Sequence, residues 1–186
     1  MRIIFIGPPG VGKGTQCRRL AKRLELPHLS SGVMLRSQDR STRLGCEIAE
    51  FIDNGRFAPD ELVMQMMADR LAQPDCVAGY LLDGFPRTVV QAEGFDDYLQ
   101  QKSMIIDHVL ELFAPEQVLL ERLTLRSQTE ERLDDTPETI RARFEIYSAR
   151  TAPVLQFYKS QNLVRRIDAS LDSKQVYTSI CDVLSS

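Results

Sequence analysis

Short apolar runs alternate with longer stretches of helical periodicity along the whole chain. The first run, Ile3–Ile6, is β-branched or aromatic and too short for a helix, so it predicts a strand buried on both faces. Together with similar runs it gives the predicted strands 2–6, 27–30, 79–83, 107–113 and 162–168. The intervening periodicity predicts helices at 13–25, 31–38, 41–53, 60–72, 88–101, 115–126, 137–159 and 172–184. This alternation predicts an α/β fold, with a parallel five-stranded sheet covered by helices on both sides.

A glycine-rich turn, Gly7–Gly12, follows the first predicted strand directly, and Lys13, Gly14 and Thr15 then open a predicted helix. Backbone N–H groups can wrap a triphosphate only where side chains leave room, and glycines leave that room. The helix N-terminus adds unpaired N–H groups and partial positive charge, and Lys13 adds a full charge that can follow a phosphoryl group. The strand, turn, lysine and helix therefore predict a phosphate-binding loop (P-loop) of the P-loop NTPase type rather than a plain glycine turn.

The residue after the P-loop lysine is usually Ser or Thr, whose hydroxyl binds the metal ion, but here it is Gly14. Thr15 comes one position later. We therefore expect Mg²⁺ to depend on phosphate oxygens, water and a carboxylate from elsewhere in the chain. This departure argues against a switch GTPase or a motor ATPase.

A carboxylate suited to that task is Asp83, at the end of the predicted strand 79–83. Ligands of doubly wound sheets bind at the carboxyl ends of the strands, so Asp83 could hold Mg²⁺ directly or through water. A turn or helix cap is the alternative role for this side chain. Arg87 and Gln91 are four residues apart and share a helix face, where they could contact a phosphate and a base edge.

Composition narrows the function classes. The chain has 186 residues, 43% hydrophobic and 26% charged, as in a globular protein of one ordinary domain. Its net charge of −3 disfavours nucleic-acid binding, so a polyanionic ligand must be met by individually placed arginines. No apolar run approaches the roughly 20 residues of a membrane span. The apolar segment at the start is too short for a signal peptide and belongs to the first predicted strand. We therefore expect a cytoplasmic protein without a membrane partner.

The four cysteines, Cys17, Cys46, Cys76 and Cys181, are far apart and form no Cys-x-x-Cys pair. Free buried or half-buried thiols are expected. With only His28 and His108 to add, we expect no metal cluster and no structural zinc.

The span 122–150 contains six arginines and six acidic residues, so its net charge is zero and the placement of each arginine decides its role. Surface ion pairs are the favoured interpretation for Arg141 and Arg150. Arg143 lies nearer the apolar stripe of its predicted helix. Upstream, the pattern of residues 30–59 predicts an insertion of short helices. Helix spacing alone does not decide whether this insertion is a flap that covers a substrate or a purely structural segment.

The P-loop form Gly-Lys-Gly-Thr and the segment Tyr-Leu-Leu-Asp-Gly-Phe-Pro-Arg at 80–87, with Gln91 beyond it, resemble the adenylate kinase family. The resemblance covers essentially the whole chain, in a form with a short lid. It implies reversible transfer of the γ-phosphoryl group from Mg·ATP to AMP, giving two ADP, by a monomer. It also implies one domain with a core (1–29, 60–125 and 137–186), a monophosphate-binding flap (30–59) and a lid (126–136).

The resemblance also implies individual roles. The implied catalytic residues are Lys13, Arg87, Arg126, Arg132 and Arg143. The implied ATP-binding residues are Gly10, Val11, Gly12, Lys13, Gly14, Thr15, Arg122, Arg126 and Leu171. The implied AMP-binding residues are Ser31, Arg36, Phe57, Ala58, Pro59, Gly84, Phe85, Pro86, Arg87, Gln91, Arg132 and Arg143. Asp83 is the implied Mg²⁺ residue, acting through water. Val33 stands where the family usually has aspartate, so a polar contact that orders the flap is expected to be missing.

Two alternatives stay open at this point. The first is a UMP or CMP kinase of the same family, although Ser31 and Gln91 favour adenine. The second is a P-loop module that binds ATP without transferring a phosphoryl group. The arginines at 126, 132 and 143, together with Asp83, argue against that second alternative.

Overall fold

The computed structural model describes residues 1–54, 56–129 and 136–185. Within these residues the centre of the fold is a five-stranded parallel sheet in the order β2-β3-β1-β4-β5. Its strands are β1 (Arg2–Ile6), β2 (His28–Ser30), β3 (Tyr80–Asp83), β4 (His108–Phe113) and β5 (Val164–Asp168). Each strand falls within its predicted range, and the predicted α/β fold class is confirmed.

Helices connect the strands and cover the sheet. They are α1 (Lys13–Leu24), α2 (Ser31–Arg36), α3 (Arg43–Asp53), α4 (Asp60–Leu71), α5 (Val89–Gln101), α6 (Glu116–Thr129), α7 (Pro137–Ile146), α8 (Ala152–Lys159) and α9 (Ser173–Ser185). A short 3₁₀ turn, Pro74–Cys76, precedes β3. None of the described helices combines the length and the apolar character that crossing a membrane requires.

The helix predicted over 137–159 is interrupted by a π-helical turn, Tyr147–Thr151, between α7 and α8. The backbone N–H of Ala152 bonds the carbonyl of Tyr147, five residues back. Pro153 stands at the start of α8 and cannot donate a backbone hydrogen bond, so an α-helical ladder could not continue through it unbroken. Helical periodicity does not reveal such a turn, because the apolar stripe continues on either side of it.

Alternate residues of the central strands enter separate apolar clusters on the two faces of the sheet. Ile4 and Leu82 face the cluster that includes residues of α4, α5 and α8. Ile3 and Leu81 face the cluster that includes residues of α1, α6 and α9. This two-sided burial explains why the strand sequences are continuously apolar instead of alternating.

The strand register brings separate loops to one edge of the sheet. Phe5 of β1 and Ser30 of β2 both pair with Asp83 of β3. The segments that follow these strands therefore leave the sheet side by side at its carboxyl edge. In a doubly wound sheet this edge is where ligands bind.

The burial of β1 predicts a contrast between two identical substitutions. Ile3 is fully buried, whereas Ile105 is 71% exposed. We expect Ile3→Ala to lower the free energy of unfolding by about 2–5 kcal/mol, because it leaves a cavity in the packed core. Ile105→Ala should change it by less than about 0.5 kcal/mol. Urea denaturation of both variants measures the difference, and equal destabilisation would contradict this account of the core.

Candidate active site

A cavity of about 690 Å³ opens at the carboxyl edge of the sheet. The predicted site residues that line it are Gly10, Val11, Gly12, Lys13, Gly14, Thr15, Ser31, Arg36, Phe57, Ala58, Asp83, Gly84, Pro86, Arg87, Gln91, Arg122, Arg126, Arg143 and Leu171. Pro59 and Phe85 are not among the lining residues, and Arg132 lies outside the described residues. The Phe85 ring is buried in the core, 5.3 Å from the ring of Phe95 in an edge-to-face contact.

The loop between β1 and α1 requires glycine at Gly10 and Gly12 because of its backbone conformation. Gly10 has φ +81°, and a Cβ there would also lie 2.8 Å from the carbonyl oxygen of Leu119. Gly12 has φ +94° and caps α1, and a Cβ there would have no other atom within 4 Å. Helix α1 therefore begins at Lys13, and its first-turn N–H groups, which have no partners within the helix, form part of the cavity wall.

Lys13 is held inside the loop that precedes it. Its Nζ donates to the carbonyl oxygens of Gly7 at 2.7 Å and Pro8 at 3.0 Å. Burial lowers the pKa of Lys13 to about 8, while the negative charge of Asp83 acts in the opposite direction. The positive charge of Arg126 contributes to the lowering. Lys13 is thus a buried cation near neutral pH, close to both a carboxylate and a guanidinium group.

Asp83 ends β3 and accepts a hydrogen bond from Nε2 of His28 at 3.3 Å. Burial acts to raise the pKa of Asp83, but the His28 hydrogen bond and the Lys13 charge outweigh it, so the pKa lies below its usual value. A Cβ on Gly14 would approach Asp83 Oδ2 to 3.2 Å, which is tighter than most Cβ contacts. The closeness of this carboxylate gives a physical reason for glycine where other P-loops have Ser or Thr.

The structure brings together three possible metal ligands that the sequence analysis did not anticipate. The possible ligand atoms of Cys17, His28 and Asp83 all lie within 4.8 Å of one another. Cys17 comes from α1, His28 from β2 and Asp83 from β3, so no local spacing pattern in the sequence joins them. The thiol prediction held in part, because all the cysteines are free but Cys46 is exposed.

Arg87 is the centre of a group of guanidinium side chains. Its Nε donates to the carbonyl oxygen of Gly84 at 2.7 Å. Burial lowers the pKa of Arg87 to about 10; the Asp83 charge opposes this, and the charges of Arg143 and Arg36 lower it further. Three guanidinium groups that lie close together beside the Asp83 carboxylate form a region suited to binding a multiply charged anion.

Phe57 lies beneath these cations. Its ring centroid is 5.1 Å from the guanidinium carbon of Arg87 and 5.7 Å from that of Arg150. Arg150 also contacts Asp60 Oδ2 at 3.4 Å, in agreement with the predicted surface ion pair. The structure therefore orients Arg87 through an aromatic face as well as through hydrogen bonds.

Gln91 is almost completely buried, and its amide is oriented from both ends. Its Oε1 accepts the backbone N–H of Arg87 at 2.7 Å, and its Nε2 donates to Asp60 Oδ1 at 2.7 Å. Thr88 caps α5 by accepting the backbone N–H of Gln91 at 3.1 Å. One amide N–H and one carbonyl lone pair remain available to a ligand.

Arg122 contacts the loop that follows β5. Its guanidinium group donates to the carbonyl oxygens of Ala169 at 2.7 Å and Leu171 at 3.2 Å. Arg122, a residue of α6, thus holds the Leu171 backbone in the cavity wall. This is a scaffolding contact that the arginine count of the sequence did not predict.

His28 and Asp60 are functional candidates that the sequence reasoning missed. His28 stands in the strand that pairs with β3, and the register His28↔Leu81 brings it near Asp83. A sequence signal did exist, since His28 lies within the predicted strand 27–30. Asp60 stands at the start of the predicted helix 60–72 with no local sign of a site role, because its partners Gln91 and Arg150 are 31 and 90 residues away.

Comparisons with known proteins agree with this geometry. Residues 5–163 match the family model described as adenylate kinase. A protein named adenylate kinase from Rhodopirellula baltica is 55% identical over 185 residues, covering 100% of this chain and 95% of the relative. One of the same name from Cyanothece sp. is 44% identical, covering 96% and 92%, and one from Clostridium botulinum is 36% identical, covering 99% of each. A P-loop, a carboxylate at the end of β3 and a full-length match together place this chain in the adenylate kinase family.

Proposed function

We propose that this enzyme transfers the γ-phosphoryl group of Mg·ATP to AMP, reversibly, giving two ADP. The observation that carries the proposal is the meeting of Lys13, Asp83 and Arg87 in one buried cavity between the P-loop and helix α2. Phosphoryl transfer needs no protein nucleophile, because the acceptor phosphate attacks in line. The protein contributes positioning and neutralisation of charge, which these residues are suited to provide.

ATP occupies the P-loop side of the cavity in this proposal. Its phosphates contact the backbone N–H groups of Gly10, Val11, Gly12, Gly14 and Thr15, and Lys13 contacts the β- and γ-phosphates. The adenine lies against the loop at Leu171, which Arg122 holds in place. Arg126 reaches the phosphates from the same helix as Arg122.

AMP occupies the other side, between α2 and the segment after β3. Arg36 binds its phosphate, and Ser31 and Gln91 contact its base. The remaining acceptor contacts are assigned to Phe57, Ala58, Pro59, Gly84, Phe85 and Pro86. Because Phe85 is buried beneath the cavity and Pro59 does not line it, these two act through their backbone or through their neighbours.

Arg87, Arg126, Arg132 and Arg143 are proposed to surround the transferring group. Their planar guanidinium groups match phosphate oxygens in pairs, which the point charge of a lysine does not. Residues 30–59 are proposed as the acceptor flap and residues 126–136 as the short lid, of which 130–135 lie outside the described residues. Their closure would exclude water that could otherwise accept the phosphoryl group. Residues 1–29, 60–125 and 137–186 form the core of this single domain.

Mg²⁺ is proposed to accompany ATP. The ionised, partly buried Asp83 carboxylate is a hard oxygen ligand suited to Mg²⁺, held directly or through water. When bound, Mg²⁺ supplies charge neutralisation on the β- and γ-phosphates. Gly14 offers no hydroxyl, so phosphate oxygens and water complete the coordination.

The remaining assignments concern the cellular setting. The cavity is formed by one chain, which supports action as a monomer. Free thiols at all the cysteine positions are in keeping with a reducing compartment and support a cytoplasmic location. The net charge of −3 supports small nucleotides, rather than nucleic acid, as partners.

Acceptor choice follows from the orientation of the Gln91 amide. Adenine presents an amino donor beside a ring-nitrogen acceptor, whereas uracil presents a carbonyl acceptor beside a ring N–H donor, so this orientation separates AMP from UMP. Cytosine shares the adenine pattern, and the preference over CMP depends on the contact proposed for Ser31. We expect a coupled assay across AMP, UMP, CMP and GMP to show AMP as the preferred acceptor. Gln91→Met should lower kcat/KM for AMP about 10–100-fold, because a buried hydrogen-bonding group is left without its partner.

Gln100→Met, on the exposed face of the same helix, is the control and should leave kcat/KM for AMP unchanged. UMP or CMP as the best acceptor would favour the pyrimidine kinase alternative. Binding of a bisubstrate dinucleotide without turnover of any acceptor would favour the non-catalytic module.

Removal of the P-loop cation should reduce the rate. We expect Lys13→Met to lower kcat about 10²-fold or more, because a buried charge that stabilises the transferring group is lost. Lys22→Met removes an exposed lysine from the same helix and should leave kcat unchanged. Near-normal turnover by a folded Lys13→Met protein, judged by its circular dichroism, would contradict the assignment.

The pKa of Lys13 predicts an alkaline limb in the pH profile. Lys13 is charged below its pKa of about 8 and neutral above it. We expect kcat/KM for Mg·ATP to fall roughly tenfold per pH unit above that value, since this parameter reports ionisations of the free enzyme. Lys13→Arg keeps its charge across this range, so its profile should lack the limb even if its absolute rate is lower. A flat wild-type profile well beyond pH 8 would show that another group controls phosphate binding.

A further inference from the structure

Three side chains meet behind the phosphate-binding loop, and the proposed reaction uses only one of them. Asp83 is the proposed Mg²⁺ residue, but the reaction assigns no role to Cys17 or His28. We propose that Cys17, His28 and Asp83 form a binding site for Zn²⁺, and that its occupation inhibits the enzyme.

The spacing of the ligand atoms fits a zinc ion after a small adjustment. His28 Nε2 and Asp83 Oδ2 are 3.3 Å apart, and the atoms of all three side chains lie within 4.8 Å of one another. Tetrahedral zinc, with bonds of about 2.0–2.3 Å, requires ligand atoms about 3.3–3.7 Å apart. The histidine and the carboxylate already meet this requirement, and the thiol needs to move by about 1 Å at most.

The chemistry of the three ligands separates zinc from magnesium. Zinc binds thiolate, imidazole and carboxylate together, whereas Mg²⁺ selects oxygen ligands. On binding, the Cys17 thiol loses its proton to solvent, and the sulfur donates an electron pair to the metal. No change in oxidation state occurs.

The surroundings also permit entry and leave one coordination position open. His28 and Asp83 line the cavity, with about one-seventh of each side chain exposed, while Cys17 lies behind them in the apolar cluster of α1. An ion entering from the cavity would meet these two side chains first and the sulfur last. Its fourth position faces the cavity, where water or a phosphate oxygen can bind.

Nearby charges set the balance of this site. Lys13 and Arg87 are close enough to Asp83 to affect its pKa, and both would repel a cation. The thiolate and the carboxylate together carry two negative charges, which would balance the two positive charges of Zn²⁺. Lys13 is in addition held by the carbonyl oxygens of Gly7 and Pro8, rather than by the three proposed ligands.

Capture of Asp83 by zinc would remove the carboxylate proposed for Mg²⁺. This inhibitory consequence rests on the proposed function, but the binding of the metal does not. The two parts are therefore tested separately, first by metal binding without nucleotide and then by activity.

Co²⁺ serves as the spectroscopic probe, since a thiolate ligand produces near-ultraviolet charge-transfer absorption. We expect this absorption on adding Co²⁺ to the full-length protein, and its loss on adding an equimolar amount of Zn²⁺. Cys17→Ala should abolish it and weaken Zn²⁺ binding, measured against a chromophoric chelator, by at least about 100-fold. Cys17→Ser, which keeps the side-chain volume, is the second variant in case the alanine variant fails to fold.

Matched controls exist for two of the ligands. Cys76→Ala removes another buried cysteine and His108→Gln the other histidine, and neither should alter the absorption or the Zn²⁺ affinity. His28→Gln should weaken binding as strongly as the Cys17 variants do. Unaltered Zn²⁺ affinity in both Cys17 variants, or the absence of charge-transfer absorption in the wild type, would overturn the site.

The activity measurement then tests inhibition. Wild-type turnover with Mg·ATP and AMP should fall as Zn²⁺ is added from a metal buffer, whereas Cys17→Ala should keep its basal rate and resist zinc at about 100-fold higher free concentrations. Metal binding without inhibition would confirm the site and refute the inhibitory role. Zinc binding in a protein without kinase activity would leave the site standing and remove the proposed function.

Discussion

One buried carboxylate sets the electrostatics of the carboxyl edge of the sheet. Asp83 ends β3 beside His28, and the charges of Lys13 and Arg87 act on it. Burial alone would favour the protonated form of this group, and the neighbouring donors reverse that preference. Without a negative charge at this point, Lys13 and Arg87 would both lie in a poorly solvated region, where neutral carbonyl oxygens and an aromatic ring would offset less of the cost of their burial. Asp83 thus allows two cations to be kept where a polyphosphate can meet them.

Among the described residues that line the cavity, basic side chains outnumber acidic ones. Arg36, Arg87 and Arg143 lie close enough for two of them to lower the pKa of the third. Their mutual repulsion raises the free energy of the ligand-free protein, and the binding of phosphate groups relieves it. The chain as a whole is nevertheless acidic, with a net charge of −3. Affinity for a nucleotide therefore comes from the local placement of a few buried cations, which a solvated surface of equal charge would not reproduce.

Local sequence signals predicted the sheet and the P-loop because both depend on residues that are adjacent in the chain. The run Ile3–Ile6 determines burial, and the glycines after it determine the backbone conformation of the loop. Both properties can be predicted from a short stretch of sequence. The pairing of His28 with Asp83 depends on strand register across 55 residues, and the contact of Gln91 with Asp60 spans 31. The π-helical turn before Pro153 interrupts a stripe whose periodicity looks continuous. Family resemblance brought in Arg36, which its own local pattern would have left as a solvated side chain, and gave a role to Arg143, for which the local pattern indicated only a position near the apolar stripe.

Arg87 connects two parts of the cavity that we propose bind the acceptor. Its guanidinium group lies among the cations proposed to bind phosphate, while its backbone N–H donates to the amide of Gln91 and its carbonyl accepts from Thr151. Its Nε donates to the carbonyl oxygen of Gly84. Glycine is favoured at this position because its φ is +74° and because a Cβ would lie 2.7 Å from Nη2 of Arg87. A shift of the Gln91 amide would therefore move the peptide that positions the Arg87 side chain. Since small displacements of a charge-stabilising group cost much of its catalytic effect, the proposed roles of Gln91 in base recognition and of Arg87 in phosphoryl transfer would depend on each other through the Arg87 backbone.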